Sequence, residues 1–198
     1  PREGRSVSFY VALFLALRAF GLRPGDEVIA PSLTFAASIN TILHAGATPV
    51  LADVEMESFG VDPAEVESLV GPRTRGVVAV DSGGHPARID ALREVCRRHG
   101  LFLLEDAAHA FGAALDGKPV GALADATAFS FYATKCITTG EGGMLTTADA
   151  DLAKSGSRRA AISSLSIVGP RVGSIGFLHW RLNSLIEKWR PSLQGAAM

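Results

Sequence analysis

Cysteine is scarce in this chain of 198 residues: only Cys96 and Cys136 occur, with no CxxC pair and no metal-ligand spacing. That excludes a disulfide-stapled scaffold and a Cys/His metal site, and it makes a reducing cytoplasm the expected compartment. An excess of one charge is also missing. Nineteen Lys and Arg stand against twenty Asp and Glu, a formal net charge of −1, with the two signs interspersed. No field of that kind favours nucleic acid or an anionic membrane. Long apolar runs are absent as well. Although 47% of the residues are hydrophobic, no stretch reaches the ~18 residues that a membrane span requires. The nearest approach, 11–20, is short and is interrupted by Arg18. Basic residues precede it as in a signal peptide, but no small-residue cleavage site follows and the stretch runs straight into GDEVIAP, so it reads as a core helix.

What is present is an alternation of helical and strand patterns without internal repeats or low-complexity segments. The spacing predicts a buried helix over 7–20 ended by Gly21, a strand over 27–30 stopped by Pro31, a helix over 35–44 ended by Gly46, and a strand over 49–52. Asp62 is placed to cap a helix whose first turn holds Pro63 and Glu65. A strand over 75–80 follows, and then an amphipathic helix over 87–99 with Ile89, Leu92, Val95 and Cys96 on one face and Gly100 as its stop. Strands over 101–105, 126–131 and 143–147 complete the pattern, which is that of an α/β protein with a mainly parallel sheet. In the tail, Phe177, Leu178, Leu182, Leu185, Ile186 and Trp189 fall near helical spacing before Pro191, as in a helix packed on its own domain or on a second subunit.

Two segments carry chemistry. In 101–111, LFLLEDAAHAF, an apolar strand delivers Asp106 to the mouth of a sheet, the edge at which open α/β sheets bind ligands. In 129–143, FSFYATKCITTGEGG, a strand breaks into a turn that carries one lysine, Lys135, and then three glycines. An acid at a strand end and a lysine on a later strand-end turn match the pair that pyridoxal phosphate chemistry needs. The lysine forms the Schiff base, and the aspartate keeps the pyridine nitrogen protonated so that the ring acts as an electron sink.

These residues resemble the fold-type I pyridoxal-phosphate enzymes, and among them the sugar aminotransferases of the DegT/DnrJ/EryC1/StrS family. The segment 25–54, GDEVIAPSLTFAASINTILHAGATPVLADV, is similar to that family's early signature, and EDAAHAFGA and FSFYATKCITTGEGGML are similar to its aspartate and lysine signatures in the family's order. The resemblance covers 25–147 and implies a three-layer α/β/α sandwich. It also implies a cofactor-binding large domain over 1–160 that lacks the N-terminal segment, with 161–198 as a helical tail or the start of a truncated small domain. On this resemblance the chain is a fragment or a truncated relative.

The resemblance assigns roles residue by residue. Lys135 is the Schiff-base lysine and later moves the proton between substrate and cofactor, and Asp106 is the pyridinium partner. His109 stands where most relatives carry glutamine near the phenolic oxygen, and a histidine there makes the cofactor's electronics sensitive to pH. Phe35 is the aromatic that stacks on the ring, against the plain alternative of core packing. Ser130 binds the phosphate, or else is a satisfied core hydroxyl. Ser8, Phe9 and Tyr10 occupy a Ser-Gly-Thr-like phosphate turn, in which Phe9 removes a small residue and Tyr10 lengthens the hydroxyl. Arg181, in GFLHWRL, matches the arginine that reaches the neighbouring subunit's phosphate, without the family's asparagine before it. Cys136 replaces the asparagine that commonly follows the lysine.

The implied activity is transfer of an amino group from an amino acid, glutamate, to a nucleotide-linked keto sugar by a homodimeric enzyme, with Glu141 framing the substrate. The dehydrating branch of the family carries histidine at the lysine position, and Lys135 argues against it. A catalytically silent relative that keeps the fold for assembly or regulation stays open beside this reading, favoured by Phe9, Tyr10 and the missing asparagine. A dinucleotide binder would need a glycine-rich turn after the first strand, where Pro31 and Ser32 stand instead.

Overall fold

The computed structural model describes residues 9–160 and 166–168. Glycine and proline set most of its element ends. Helix α1 (Phe9–Ala19) gives way to Gly21, whose φ of 78° carries the chain into the turn before β1 (Glu27–Pro31). Helix α2 (Ala36–His44) and β2 (Thr48–Ala52) follow. Asp62 caps α3 (Pro63–Leu69), its carboxylate accepting the Ala64 amide at 2.8 Å while Pro63 sits in the first turn, where no amide proton is needed. Strand β3 (Thr74–Val80) ends in a short 3₁₀ turn (Ser82–Gly84), and α4 (Ile89–His99) closes on Gly100 in the left-handed conformation. Strand β4 (Phe102–Asp106), a two-stranded hairpin of β5 (Ala114–Leu115) and β6 (Lys118–Pro119), β7 (Ala126–Ser130), β8 (Gly143–Thr146), α5 (Ala150–Ala160) and β9 (Ser166–Val168) complete the chain.

The expected elements are present with bounds shifted by one or two residues, because helix ends and strand ends have no sharp energetic edge. Helix α5 went unmarked past the last expected strand, and three shorter features carry no signal in the pattern: the 3₁₀ turn, the β5–β6 hairpin and β9. Each of these three is too short for a periodicity to build up. Strand β9 continues the sheet past the boundary placed at residue 160. The helical spacing over 177–189 lies outside the described residues.

Seven strands form one sheet in the order β2-β1-β3-β4-β7-β8-β9. The first five run parallel, while β8 pairs antiparallel with β7 and β9 follows β8, so the last two run against the rest. Period-2 alternation sends neighbouring residues to opposite faces. On one face Val28, Ala30, Val78, Leu104, Ala128 and Leu145 pack with Leu13 and Leu17 of α1, Ile42 of α2 and Leu152 of α5. On the other, Ile29, Val77, Ala79, Leu103, Phe129 and Met144 pack with Val66 of α3 and Ile89, Leu92 and Val95 of α4. The result is the three-layer α/β/α sandwich. The parallel strands place the carboxyl ends of β1, β3, β4 and β7 along one edge, and the antiparallel β7–β8 pair (Ser130 opposite Gly143) returns the 131–142 loop to that same edge. No helix among the described residues is long and apolar enough to cross a membrane.

Candidate active site

A cavity of about 530 Å³ opens at this edge, a size suited to a small-molecule ligand. Its walls include Tyr10, Phe35, Asp106, His109, Ser130 and Lys135. Six of the eight candidate residues, drawn from four separate stretches of sequence, thus meet in one place. The other two, Ser8 and Arg181, lie outside the described residues.

Asp106 is the last residue of β4 and is 3% exposed. Ser38 of α2 donates its hydroxyl to Oδ2 at 2.6 Å, and the Ala108 amide donates to Oδ1 at 3.2 Å. Burial pushes the Asp106 carboxyl up to about 6, against the lowering effects of Ser38, Ala108 and the Lys135 charge. A carboxylate this buried and this well oriented gains from a cationic partner in the cavity.

Lys135 sits in the 131–142 loop, which is pinned at its base by the Phe131 amide on Gly142 O (2.9 Å) and the Thr139 amide on Phe131 O (3.0 Å). Gly142 belongs to this pinning, since a Cβ there would meet Thr139 Oγ1 at 2.5 Å. The Lys135 amide bonds Tyr132 O at 3.0 Å, and its Nζ lies 2.8 Å from His109 Nε2. With Lys135 charged, the ammonium donates and Nε2 accepts, which leaves the imidazole proton on Nδ1. Burial, and then the Lys135 charge, lower the His109 pKa and so favour this neutral ring. Cys136 donates its thiol to His109 O at 3.3 Å, tying the lysine loop to the segment after β4 a second time.

Phe35 is the residue before α2, in extended backbone without a side-chain cap, and is 77% exposed at the cavity. Among the described residues it packs into neither core cluster. Ser130 is buried at the end of β7, its Oγ accepting the Tyr132 amide at 3.4 Å. Tyr10 stands in the first turn of α1 with its hydroxyl 2.5 Å from His44 Nδ1, at the last residue of α2. Glu141 also lines the cavity.

Two residues of the site went unnoticed in the sequence. Ser38 stands three residues after Phe35, so one helical turn carries it back over the strand ends. Asp81 follows an apolar strand just as Asp106 does, and that was the available signal.

The site fits pyridoxal phosphate on its own chemistry. A cavity of suitable volume holds a primary amine, a buried carboxylate with its hydrogen bonds already made, and an aromatic ring with no core to pack in. The fold and this constellation define the large domain of a fold-type I aminotransferase. The chain belongs to the DegT/DnrJ/EryC1/StrS aminotransferase family, whose model matches residues 8–167. It is 55% identical over 142 residues to the spore coat polysaccharide biosynthesis protein SpsC of Bacillus subtilis (strain 168), covering 72% of this chain and 36% of that protein. It is 52% identical over 142 residues to the GDP-perosamine synthase of Caulobacter vibrioides, covering 72% of this chain and 38% of that one. Its structure is similar to the PLP form of the putative sugar aminotransferase Spr1654 from Streptococcus pneumoniae, with a TM-score of 0.66 and 36% identity, over 69% of this chain and 38% of that chain. The chain therefore spans little more than a third of the length of the curated relatives it matches.

Proposed function

We propose that this chain is the cofactor-binding part of a pyridoxal-phosphate-dependent aminotransferase that moves an amino group from an amino acid, glutamate, to a nucleotide-linked keto sugar. The observation that carries this reading is the meeting of Lys135, Asp106, Phe35, His109 and Ser130 on one cavity at the carboxyl edge of the sheet. The name of the GDP-perosamine synthase supports the nucleotide-sugar class of substrate.

Bound there, pyridoxal phosphate supplies an electron sink and a carrier for the amino group. Lys135 Nζ would hold the cofactor, and its amine, when free, would move the proton at the substrate carbon. Asp106, held by Ser38 and Ala108, keeps a proton on the ring nitrogen. Phe35, exposed at the cavity, would stack on the ring and keep water from it. His109, whose Nε2 lies against Lys135 Nζ, would face the phenolic oxygen of the bound cofactor and could donate to it only in the tautomer that carries its proton on Nε2. Ser8, Tyr10 and Ser130 bind the phosphate, and Arg181 reaches the phosphate of a second subunit, so the working unit is a homodimer. Glu141 borders the space left for the sugar. Residues 1–160, with the edge strand β9, belong to the large domain and the rest of 161–198 leads into the small one, and the compartment is the cytoplasm.

A silent relative is the second reading, favoured by the engagement of the Tyr10 hydroxyl with His44, which removes a phosphate donor. An absorbance spectrum with added pyridoxal phosphate, before and after borohydride reduction, separates the two. The aminotransferase reading expects a reducible band in the native protein that is lost in Lys135→Ala. Absence of the band from the native protein sinks it.

A further inference from the structure

Asp81 at the wall of the cavity and Glu105 in the core beside it are two carboxyl groups to which the reading above gives no role. Asp81 follows β3 and is 1% exposed, and Glu105, the neighbour of Asp106 in β4, is fully buried. Each has one satisfied oxygen: Asp81 Oδ1 accepts the Ala87 amide at 3.0 Å, and Glu105 Oε2 accepts the Thr127 hydroxyl at 2.6 Å. Each also has one buried oxygen without a partner, Asp81 Oδ2 and Glu105 Oε1. Asp81 stands two residues past Ala79, the partner of Glu105 across β3 and β4, so strand alternation turns both side chains to one face, where each acts on the other. Two ionised carboxylates in that contact would repel in a low-dielectric interior and leave both free oxygens unsatisfied. One proton between them removes the repulsion and satisfies both oxygens at once.

We propose that Asp81 and Glu105 share one proton across these two oxygens, and that the resulting acid–carboxylate pair makes Asp81 a positioning residue for the carboxyl end of β4 beneath Asp106. Three contacts transmit the effect. The Asp81 amide donates to Asp106 O at 3.0 Å. Its carboxyl closes the 81–87 loop on Ala87. Within that loop Gly84, at φ 90°, lies against the His109 carbonyl so closely that a Cβ would stand 2.8 Å from its oxygen. The loop thus backs both Asp106 and His109.

Burial first, and then the Glu105 and Asp106 charges, push Asp81 up to about 8, and burial raises Glu105 as well. The charged groups acting on Asp81 are thus Glu105 and Asp106 of β4, while His85 and Arg88 of its own loop are exposed to solvent. Asp81 holds its proton in the folded chain to a higher pH than in the unfolded chain. Its contribution to stability is therefore complete below about 4 and is lost as pH rises to about 8.

The proposal is a property of the cofactor-free protein, although the use made of Asp106 rests on the function proposed above. Carbon-13 NMR of side-chain carboxyls in the wild-type protein without cofactor decides the shared proton. One Asp or Glu carboxyl signal should remain protonated at neutral pH, titrate in the alkaline range, and vanish in Asp81→Asn, whose amide replaces the shared proton as donor. Ionisation of every carboxyl at neutral pH overturns the proposal even if no variant folds. Positioning is read by pyridoxal phosphate binding: Asp81→Asn should stay within about twofold of wild type, while Asp81→Leu, of similar bulk but without hydrogen bonds, should lose about tenfold. Equal affinity for the two variants overturns the positioning role. Failure of the wild type to bind pyridoxal phosphate would remove the cofactor reading alone, since the carboxyl signal does not depend on it.

Discussion

Ser38→Ala removes one methyl-sized polar atom and should change the pH at which the site works. The Ser38 hydroxyl is the side-chain donor on Asp106 Oδ2, at 2.6 Å inside the core, and it stabilises the ionised carboxylate against the burial that raises Asp106 to about 6. A hydrogen bond to a buried charge contributes about 1.5–3 kcal/mol. At about 1.4 kcal/mol per pH unit, its loss should raise the Asp106 midpoint by about one to two units, to about 7–8. At pH 7 the ionised fraction then falls from about nine-tenths to between about a half and a tenth. The consequences for the cofactor and for the fold have opposite signs. Asp106 must be ionised to pair with a protonated ring, so pyridoxal phosphate affinity in the wild type should fall as pH drops through about 6, and in Ser38→Ala as it drops through about 7–8. Because the folded pKa is raised, the Asp106 contribution to the stability of the cofactor-free protein is fullest below about 4 and is lost as pH rises through about 6. Titration of the Asp106 carboxyl by NMR, with cofactor affinity measured from pH 5 to 9, reads both effects. An unshifted midpoint in Ser38→Ala would show that Ser38 does not hold the carboxylate and would refute the reasoning.

Two further substitutions test the frame that carries the site. Asp62→Ala leaves the Ala64 amide without its cap and should cost about 1 kcal/mol, measured as a lower denaturant midpoint with unchanged slope. A stability equal to that of the wild type would mean that solvent caps α3 as well as Asp62 does. Gly76→Ala should cost about 1–3 kcal/mol, because the new methyl would run into the Phe102 ring, which cannot swing aside while it lies stacked on Phe20 at 4.2 Å between centroids. Thermal denaturation should show a lower Tm that the second change Phe102→Leu partly restores, and failure to restore it would place the cost elsewhere.

Much of the site was legible because its residues belong to long, strongly patterned segments. Asp106 closes an apolar strand, and Lys135 follows another, so the apolar runs put both at a strand end and the family resemblance gave them their roles. Phe35 was ambiguous, since a phenylalanine before a helix is consistent with either core or cavity, and only its exposure separates the two. Ser38 was invisible because its role is a contact across 68 positions of sequence, which no local period records. Asp81 was hidden for a different reason: the residues after it, SGGHP, look like an ordinary surface turn, whereas its carboxyl turns inward to Ala87 and Glu105. The hairpin of Ala114–Leu115 with Lys118–Pro119 escaped because two-residue strands carry no alternation.

The reversal of β8 has a consequence for how this family can change its chemistry. A parallel successor to β7 would require the chain to travel back across a face of the sheet before it could pair, and any change in that connection would disturb a packed layer. Since β8 starts where β7 stops, the lysine loop is instead a tether with both ends fixed on one edge. It behaves as an exchangeable cassette: residues such as Thr134 and Glu141, which line the cavity, can be replaced, and with them the lining offered to a substrate, while the ladder from Thr127–Thr146 to Ser130–Gly143 continues to hold Lys135 in place. Variation in what the site accepts can accumulate there at little cost to folding.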